Sequence, residues 1–373
     1  MKFVAPASFL LLAALVQAQA SFDKNKFPAG DAIPPVNSTE MKAWLAEIDF
    51  SDVPAIARNP VKSEKENRAP ADCAKLPALK PDACLWTCQT CLGENEVETC
   101  PDPNDWGLTF DDGPKETTVP LLQVLKDANV KATFFVMGTN AVQNPDILKR
   151  TLAEGHHIAS HTWSHSPLTT MSNEEIVAEV KWAEKAVLDI TGLKMKYIRP
   201  PYGDIDNRVR KILSKLGYRV INWTRDFDTL DYKLTTLTLK EALVEAELFQ
   251  KKVLSRPPTA VGGIISLQHD IHALTTDYTR KMLEVTTQPG FRFKVKHIAD
   301  CLNDKNGYQS GVPPVVPGEG KNNGTTGGEG GKGANPQIPG DKDKSAAGTL
   351  EFSLVTAGAA ALAALAGSMG MLL

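Results

Sequence analysis

The sequence predicts an α/β fold: a distorted, incomplete (β/α) barrel of about seven parallel strands, with a disulfide-stapled N-terminal extension and a disordered C-terminal stalk. Three observations carry this. Short apolar runs alternate with amphipathic stretches between residues 101 and 308, helix start and stop signals fall between those runs, and polar residues collect just after them. The strand candidates are residues 106–110, 132–136, 157–160, 197–199, 218–223, 263–269 and 293–295. Between them, Pro145 suits a first helical turn, Ser172-x-x-Glu175 is a capping box, and Gly217 follows a helical pattern over 208–216 as a stop. Strands joined by helical crossovers must run parallel, and an open doubly wound sheet is the alternative with the same alternation.

Composition narrows the class of function. The 373 residues include 41 Lys or Arg and 44 Asp or Glu, a net charge of −3, which excludes a strongly basic nucleic-acid binder. With 42% hydrophobic and 23% charged residues, the chain matches a globular protein. Both ends read as processing signals. Lys2 precedes an apolar run over 3–16 and then Ala18-Gln19-Ala20, so residues 1–20 are expected to be a secretory signal peptide. The uncharged tail 354–373 has no basic residue after it, and small residues Ser345, Ala346, Ala347 and Gly348 lie upstream. That order resembles a glycosylphosphatidylinositol attachment signal, with Ser345 as the attachment residue and Ala346 or Ala347 next; a retained helix is the alternative. The expected layout is therefore signal peptide 1–20, N-terminal extension 21–100 with its cysteine cluster, a main α/β domain 101–308, flexible Gly/Pro-rich stalk 309–345 and attachment propeptide 346–373. The protein is expected to be secreted, a monomer, anchored by lipid to the outer face of the plasma membrane and open to transfer into the cell wall.

The extension and stalk are less legible. A short helix is expected over 39–48 with Ser38 as its cap. Six cysteines, Cys73, Cys84, Cys88, Cys91, Cys100 and Cys301, suit three disulfides in an oxidising compartment. Fifteen pairings are open, but distant Cys301 must tie back to the early cluster. Cys84, Cys88 and Cys91 lack the second ligand pair that a structural zinc site needs. The stretch 311–344 is nearly free of aliphatics beyond its first positions and cannot bury enough apolar surface to fold. Asn37 and Asn323 are expected to be glycosylated, whereas Asn222, at the end of an apolar strand, is a poor acceptor.

Chemistry concentrates at the strand ends. Thr109-Phe110 runs into Asp111-Asp112-Gly113-Pro114, which brings two carboxylates to the edge where parallel sheets build active sites. His161-Thr162-Trp163-Ser164-His165 follows another strand, and the four-residue spacing is expected to set both imidazoles on one side of a helical turn. Two histidines and one carboxylate leave coordination positions open, the arrangement of a hydrolytic metal, so Asp112, His161 and His165 are the expected ligands. Arg199-Pro200-Pro201-Tyr202-Gly203 supplies a fixed guanidinium and a backbone N–H at Tyr202. Asp228-Thr229-Leu230-Asp231-Tyr232 adds carboxylates and a ring, and Leu267-Gln268-His269-Asp270 ends a strand with a histidine.

In this order the five segments resemble the polysaccharide deacetylase family, carbohydrate esterase family four, and more narrowly the fungal chitin deacetylases, over roughly residues 106–301. The resemblance implies a distorted (β/α) barrel, one divalent ion, zinc or cobalt, in the catalytic domain, and hydrolysis of N-acetyl groups from chitin or chitooligosaccharides. Onto matching positions it carries Asp111 as general base, Asp112, His161 and His165 as metal ligands, the Tyr202 N–H as an oxyanion donor and His269 as general acid. It further implies that Arg199 pairs with Asp111 and that Asp231 orients His269. This suits the chemistry, because an amide is a poor electrophile with a poor leaving group and needs a Lewis acid, a base and a separate acid. One departure is Tyr232, where the family usually carries Trp, which bears on sugar stacking rather than on the reacting groups. Trp163 and Trp223 suit the substrate groove and the core equally and are left out of the site, and His156, His157, His272 and His297 are expected to be structural or surface residues. The competing readings are a non-catalytic, anchored glycan-binding wall protein and a deacetylase of another acetylated polysaccharide.

Overall fold

The computed structural model describes residues 22–30, 32–60, 73 and 81–310. The expected signal peptide, the stalk after residue 310, the anchor signal with Ser345, and Asn323 lie outside the described residues. Among those described, no helix is long and apolar enough to cross a membrane.

The strands are β1 (Asp105–Gly107), β2 (Thr109–Asp111), β3 (Thr133–Val136), β4 (His157–Ser160), β5 (Lys194–Met195), β6 (Tyr197–Ile198), β7 (Arg219–Val220), β8 (Ile264–Ile265), β9 (Lys294–Lys296) and β10 (Tyr308–Ser310). Five run parallel in the order β2-β3-β4-β6-β7, and three more in the order β8-β1-β9. The expected strand over 106–110 thus divides at Leu108. Its N–H goes to Lys296 and its carbonyl accepts from Thr133, so one stretch of backbone serves both sheets. Parallel bridges Asp111 to His269 and Asp228 to Leu267 carry the curvature round. The result is the incomplete barrel expected from the sequence, with the 263–269 segment supplying ladder bonds on both sides although only Ile264–Ile265 is regular strand. β10 pairs antiparallel with β5, so residues 309 and 310, expected in the stalk, still belong to the folded unit.

The helices are α1 (Thr39–Ala46), α2 (Trp86–Gln89), α3 (Thr118–Asp127), α4 (Gly138–Gln143), α5 (Pro145–Ala153), α6 (Asn173–Thr191), α7 (Asn207–Lys215), α8 (Leu239–Ser255), α9 (Thr275–Leu283) and α10 (Ile298–Cys301). Local chemistry explains their ends. Pro145 opens α5, where its missing N–H costs nothing. Ser172 and Glu175 form the reciprocal capping box of α6, a device worth about 1 kcal/mol. Ser38 accepts from the Met41 N–H at the start of α1, and Gly217 takes φ +80° just after α7. Between strands and helices lies a continuous core that includes Phe110, Phe134, Leu121, Leu122, Ile158 and Ile176. Parallel strands covered by helices bury both faces, which is why β2, β3 and β4 are buried at every residue.

The extension is packed against this core. Phe27 stacks on Trp163 with centroids 6.2 Å apart, and Trp44 meets Trp182 edge-on at 5.2 Å. The disulfides are Cys73–Cys88, Cys84–Cys91 and Cys100–Cys301. The last is the expected long-range tie, spanning 201 residues between the segment before β1 and α10. Val97 bridges Ile221, so the cysteine segment lies alongside β7. Asn222 is fully buried and donates to Glu96, in keeping with the poor acceptor read from the sequence, while Asn37 is exposed.

Candidate metal centre and catalytic cavity

Each polar segment leaves its strand at the same edge. Asp111 ends β2, and Asp112 follows with φ +80°, which turns its side chain away from the sheet. The turn is held by the Asn140 amide on the Asp112 carbonyl at 2.6 Å and by the Gly113 N–H on the Asp270 carboxylate at 2.8 Å. A Cβ on Gly113 would lie 2.1 Å from that carboxylate, so only glycine allows this approach.

His161 and His165 both reach the same Asp112 oxygen, their Nε2 atoms standing 3.3 and 3.2 Å from Oδ1. The segment is not the helical turn expected from the spacing. His161 continues the extended path of β4, and Thr162 and His165 take φ +65° and +61°, so two left-handed residues fold the loop back on itself. The expected trio converges nonetheless, with its donor atoms within 4.8 Å of one another.

The residues fit a divalent cation. Asp112 Oδ1 is buried and has no hydrogen-bond partner. His161 Nδ1 lies 2.8 Å from the Arg199 carbonyl, which can only accept, so the ring proton sits on Nδ1 and the Nε2 lone pair points at the site. Burial works to raise the Asp112 pKa, but attraction to the His165, His161 and His269 rings pulls it well below the usual carboxylate range. A carboxylate oxygen and imidazole nitrogens are ordinary donors for zinc and its neighbours.

Asp111 lies beside this trio, its Oδ2 3.9 Å from His161 Nε2. Its Oδ1 receives the Arg199 guanidinium at 2.7 Å. Arg199 is completely buried with all three nitrogens engaged, bonding also to Thr109 Oγ1 and to the Ile221 and Asn222 carbonyls, with its plane 4.1 Å above Phe135. Such a guanidinium cannot leave to follow another anion. Asp231 grips His269 twice, with Oδ1 2.6 Å from Nδ1 and Oδ2 accepting the backbone N–H at 2.7 Å. Burial disfavours the His269 cation, yet Asp231, with Asp112 and Asp111 beyond it, outweighs that and raises the pKa to about 10. Tyr202 sits between Pro201 and Gly203 with φ +61°, its ring 4.6 Å from His165.

Asp111, Asp112, His161, His165, Tyr202 and His269 line one cavity of about 480 Å³, with Trp223, Tyr232, Leu267 and Ile271 as its apolar walls. Polar groups converging in an apolar cleft are the usual form of a small-ligand or catalytic site. Trp163, by contrast, is buried in the core. Sequence reasoning left two lining residues unassigned. Trp223 forms a wall and packs edge-on against Trp86 at 4.6 Å, and His272 stands 6.2 Å from His269. His272 had a signal in hand, since it lies three residues after His269 in the same loop.

Residues 98–221 match the sequence profile of the family described as polysaccharide deacetylase. Chitin deacetylase 1 of Cryptococcus neoformans var. grubii is 37% identical over 285 residues, 74% of this chain and 58% of that protein, so the chain spans under three-fifths of that relative. Chitin deacetylase 2 of Saccharomyces cerevisiae is 37% identical over 65% of this chain and 73% of its own length. Among solved structures, the chitin deacetylase of Colletotrichum lindemuthianum aligns with a TM-score of 0.52 at 31% identity, covering 57% of this chain and 95% of that one.

Proposed function

This chain belongs to the polysaccharide deacetylase family, being 37% identical to a yeast chitin deacetylase across 73% of that protein, and from that premise we propose that it hydrolyses the N-acetyl groups of chitin to give chitosan and acetate. One observation carries the reading: Asp111 and His269 line a single cavity together with the Asp112, His161 and His165 cluster. A base and an acid flanking a cation site are what amide cleavage requires and what a passive glycan-binding module has no use for.

Asp112 Oδ1 and the Nε2 atoms of His161 and His165 would hold the ion, zinc or cobalt, one in the catalytic domain. A divalent cation there supplies Lewis acidity towards water and the acetamide carbonyl. Asp111 takes the proton of the attacking water on Oδ2, because Oδ1 is committed to Arg199. The Tyr202 N–H donates to the developing oxyanion, a contribution of roughly 3 kcal/mol for one well-placed donor. His269 holds its Nδ1 proton against Asp231 and delivers the Nε2 proton to the departing glucosamine nitrogen. Tyr232, half exposed on the cavity rim, offers a sugar a flat apolar face in place of the family's usual Trp.

The wider layout belongs to the same proposal. A signal peptide 1–20, an extension 21–100, a catalytic domain 101–310 that includes β10, a stalk 311–345 and a propeptide 346–373 describe a secreted monomer. It would be anchored through Ser345 to the outer membrane face, glycosylated at Asn37 and Asn323, and open to transfer into the wall. The test is acetate release from chitin oligosaccharides, peptidoglycan and acetylated xylan after chelation and add-back of zinc, cobalt or manganese. Release from chitin oligosaccharides on zinc or cobalt add-back is expected. If no metal gives acetate while Asp111→Asn and the parent bind chitin equally, the binding-protein reading replaces this one.

A further inference from the structure

The two left-handed residues that bend the metal loop need something to hold them. Thr162 and His165 each cost backbone strain, and the segment between them turns its N–H groups inward, the concave arrangement that attracts an anion. A carboxyl group of the protein fills it. Glu179, on the second turn of α6, is completely buried, and its Oε2 accepts the Trp163 and Ser164 N–H groups at 2.9 and 2.8 Å. Its Oε1 accepts the Ser164 hydroxyl at 2.5 Å. No lysine, arginine or histidine pairs with it among the described residues. The loop's carbonyls are taken on the other side, Thr162 by the Gly138 N–H at 2.9 Å and Trp163 by the Thr139 hydroxyl at 3.1 Å. Gly138 permits this, since a Cβ there would lie 2.5 Å from the Trp163 ring and 2.9 Å from the α6 backbone.

A buried carboxyl group whose hydrogen bonds go to the three residues between two histidines has one geometric consequence: it sets where both imidazoles stand. We propose that Glu179 is a positioning residue for the metal centre, holding the 162–165 loop in the left-handed conformation that brings His161 and His165 together on Asp112. It touches neither substrate nor ion. The inference rests on the reading of Asp112, His161 and His165 as a cation site.

The test uses the full chain and cobalt(II) or zinc alone as probe, with affinity measured by competition against a chromophoric chelator and geometry by the visible spectrum of bound cobalt. Glu179→Ala should weaken metal binding about ten- to a hundredfold and alter the cobalt spectrum, as loss of groups that orient ligands commonly does. Glu179→Gln, which keeps an oxygen for the two N–H groups, should recover most of the affinity. An affinity for Glu179→Ala within twofold of the parent, with only the apo melting temperature lowered, would make Glu179 merely structural and overturn the proposal. Should Glu179→Ala fail to fold, Glu179→Asp, which withdraws the carboxylate by one methylene, is read by the same twofold criterion. If the parent itself binds neither metal and His161→Ala changes nothing, the cation site is wrong, a failure distinct from that of Glu179.

Discussion

β4 carries a histidine at each end, and the two have opposite fates. His157 starts the strand and His161 follows its last residue, and both are almost fully buried. The His157 ring nitrogens meet the Thr133 hydroxyl at 3.2 Å and the Gly307 carbonyl at 3.0 Å, with His297 stacked at 5.5 Å. Burial, helped by His297, pushes its pKa down to about 3. His161 meets a carbonyl on one nitrogen and the Asp112 carboxylate on the other. Equal burial therefore gives an inert ring at one end and a proposed metal ligand at the other. The difference lies in what surrounds each ring: the strand ends beside His161 deliver Asp111, Asp112 and the Arg199 carbonyl, whereas His157 meets a hydroxyl, a carbonyl and the His297 ring.

Substitutions can break that contrast, beginning with the ring that has the ligand role. His161→Ala should abolish tight binding of zinc or cobalt and lower acetate release by about a thousandfold or more, since a bound cation contributes several kcal/mol to the transition state. Equilibrium dialysis and kcat measured on the same preparation check both effects. Asp111→Asn separates chemistry from coordination: kcat should fall by about a hundred- to ten-thousandfold with metal affinity within a few-fold of the parent.

Asp231→Asn sharpens the comparison at the third histidine. His269 must be protonated to act as an acid, so activity is lost as pH rises through its pKa. Asp231 raises that pKa, and its removal should move the alkaline limb of the kcat profile to lower pH while costing about ten- to a hundredfold in rate. The smallest effect belongs to the inert ring. A folded-state pKa near 3 against an ordinary 6.5 means that the unfolded chain binds the proton first, so stability falls as pH drops below 6.5. The slope is at most about 1.4 kcal/mol per pH unit for each such histidine. His157→Gln should flatten this slope in denaturant titrations from pH 6.5 to 4 and leave kcat at neutral pH within about twofold.

Particular residues mark how far the sequence could be read. Ser38, Pro145, Ser172 and Gly217 punctuate helices through bonds made within a few residues, so they were legible without the fold. Asp111, Arg199 and His269 were legible for a related reason: each follows an apolar run, and the ends of parallel strands meet at one edge. The 161–165 segment was misread as a helical turn because its backbone is held by Glu179, fourteen residues after His165, and by Gly138 and Thr139 before β4. Trp223 and His272 were left without roles because whether a ring faces core or cavity depends on what packs behind it, here Trp86 and His269.

By itself, then, the sequence determined the alternation of strand and helix, the punctuation of the helices and the set of groups gathered at one edge, all of which follow from local hydrogen bonding and periodicity. Only the tertiary structure decided which of fifteen cysteine pairings forms, where the first strand divides between two sheets, and which buried histidine faces a carboxylate. Those outcomes rest on contacts between residues far apart in the chain, and a linear pattern holds no record of such distances.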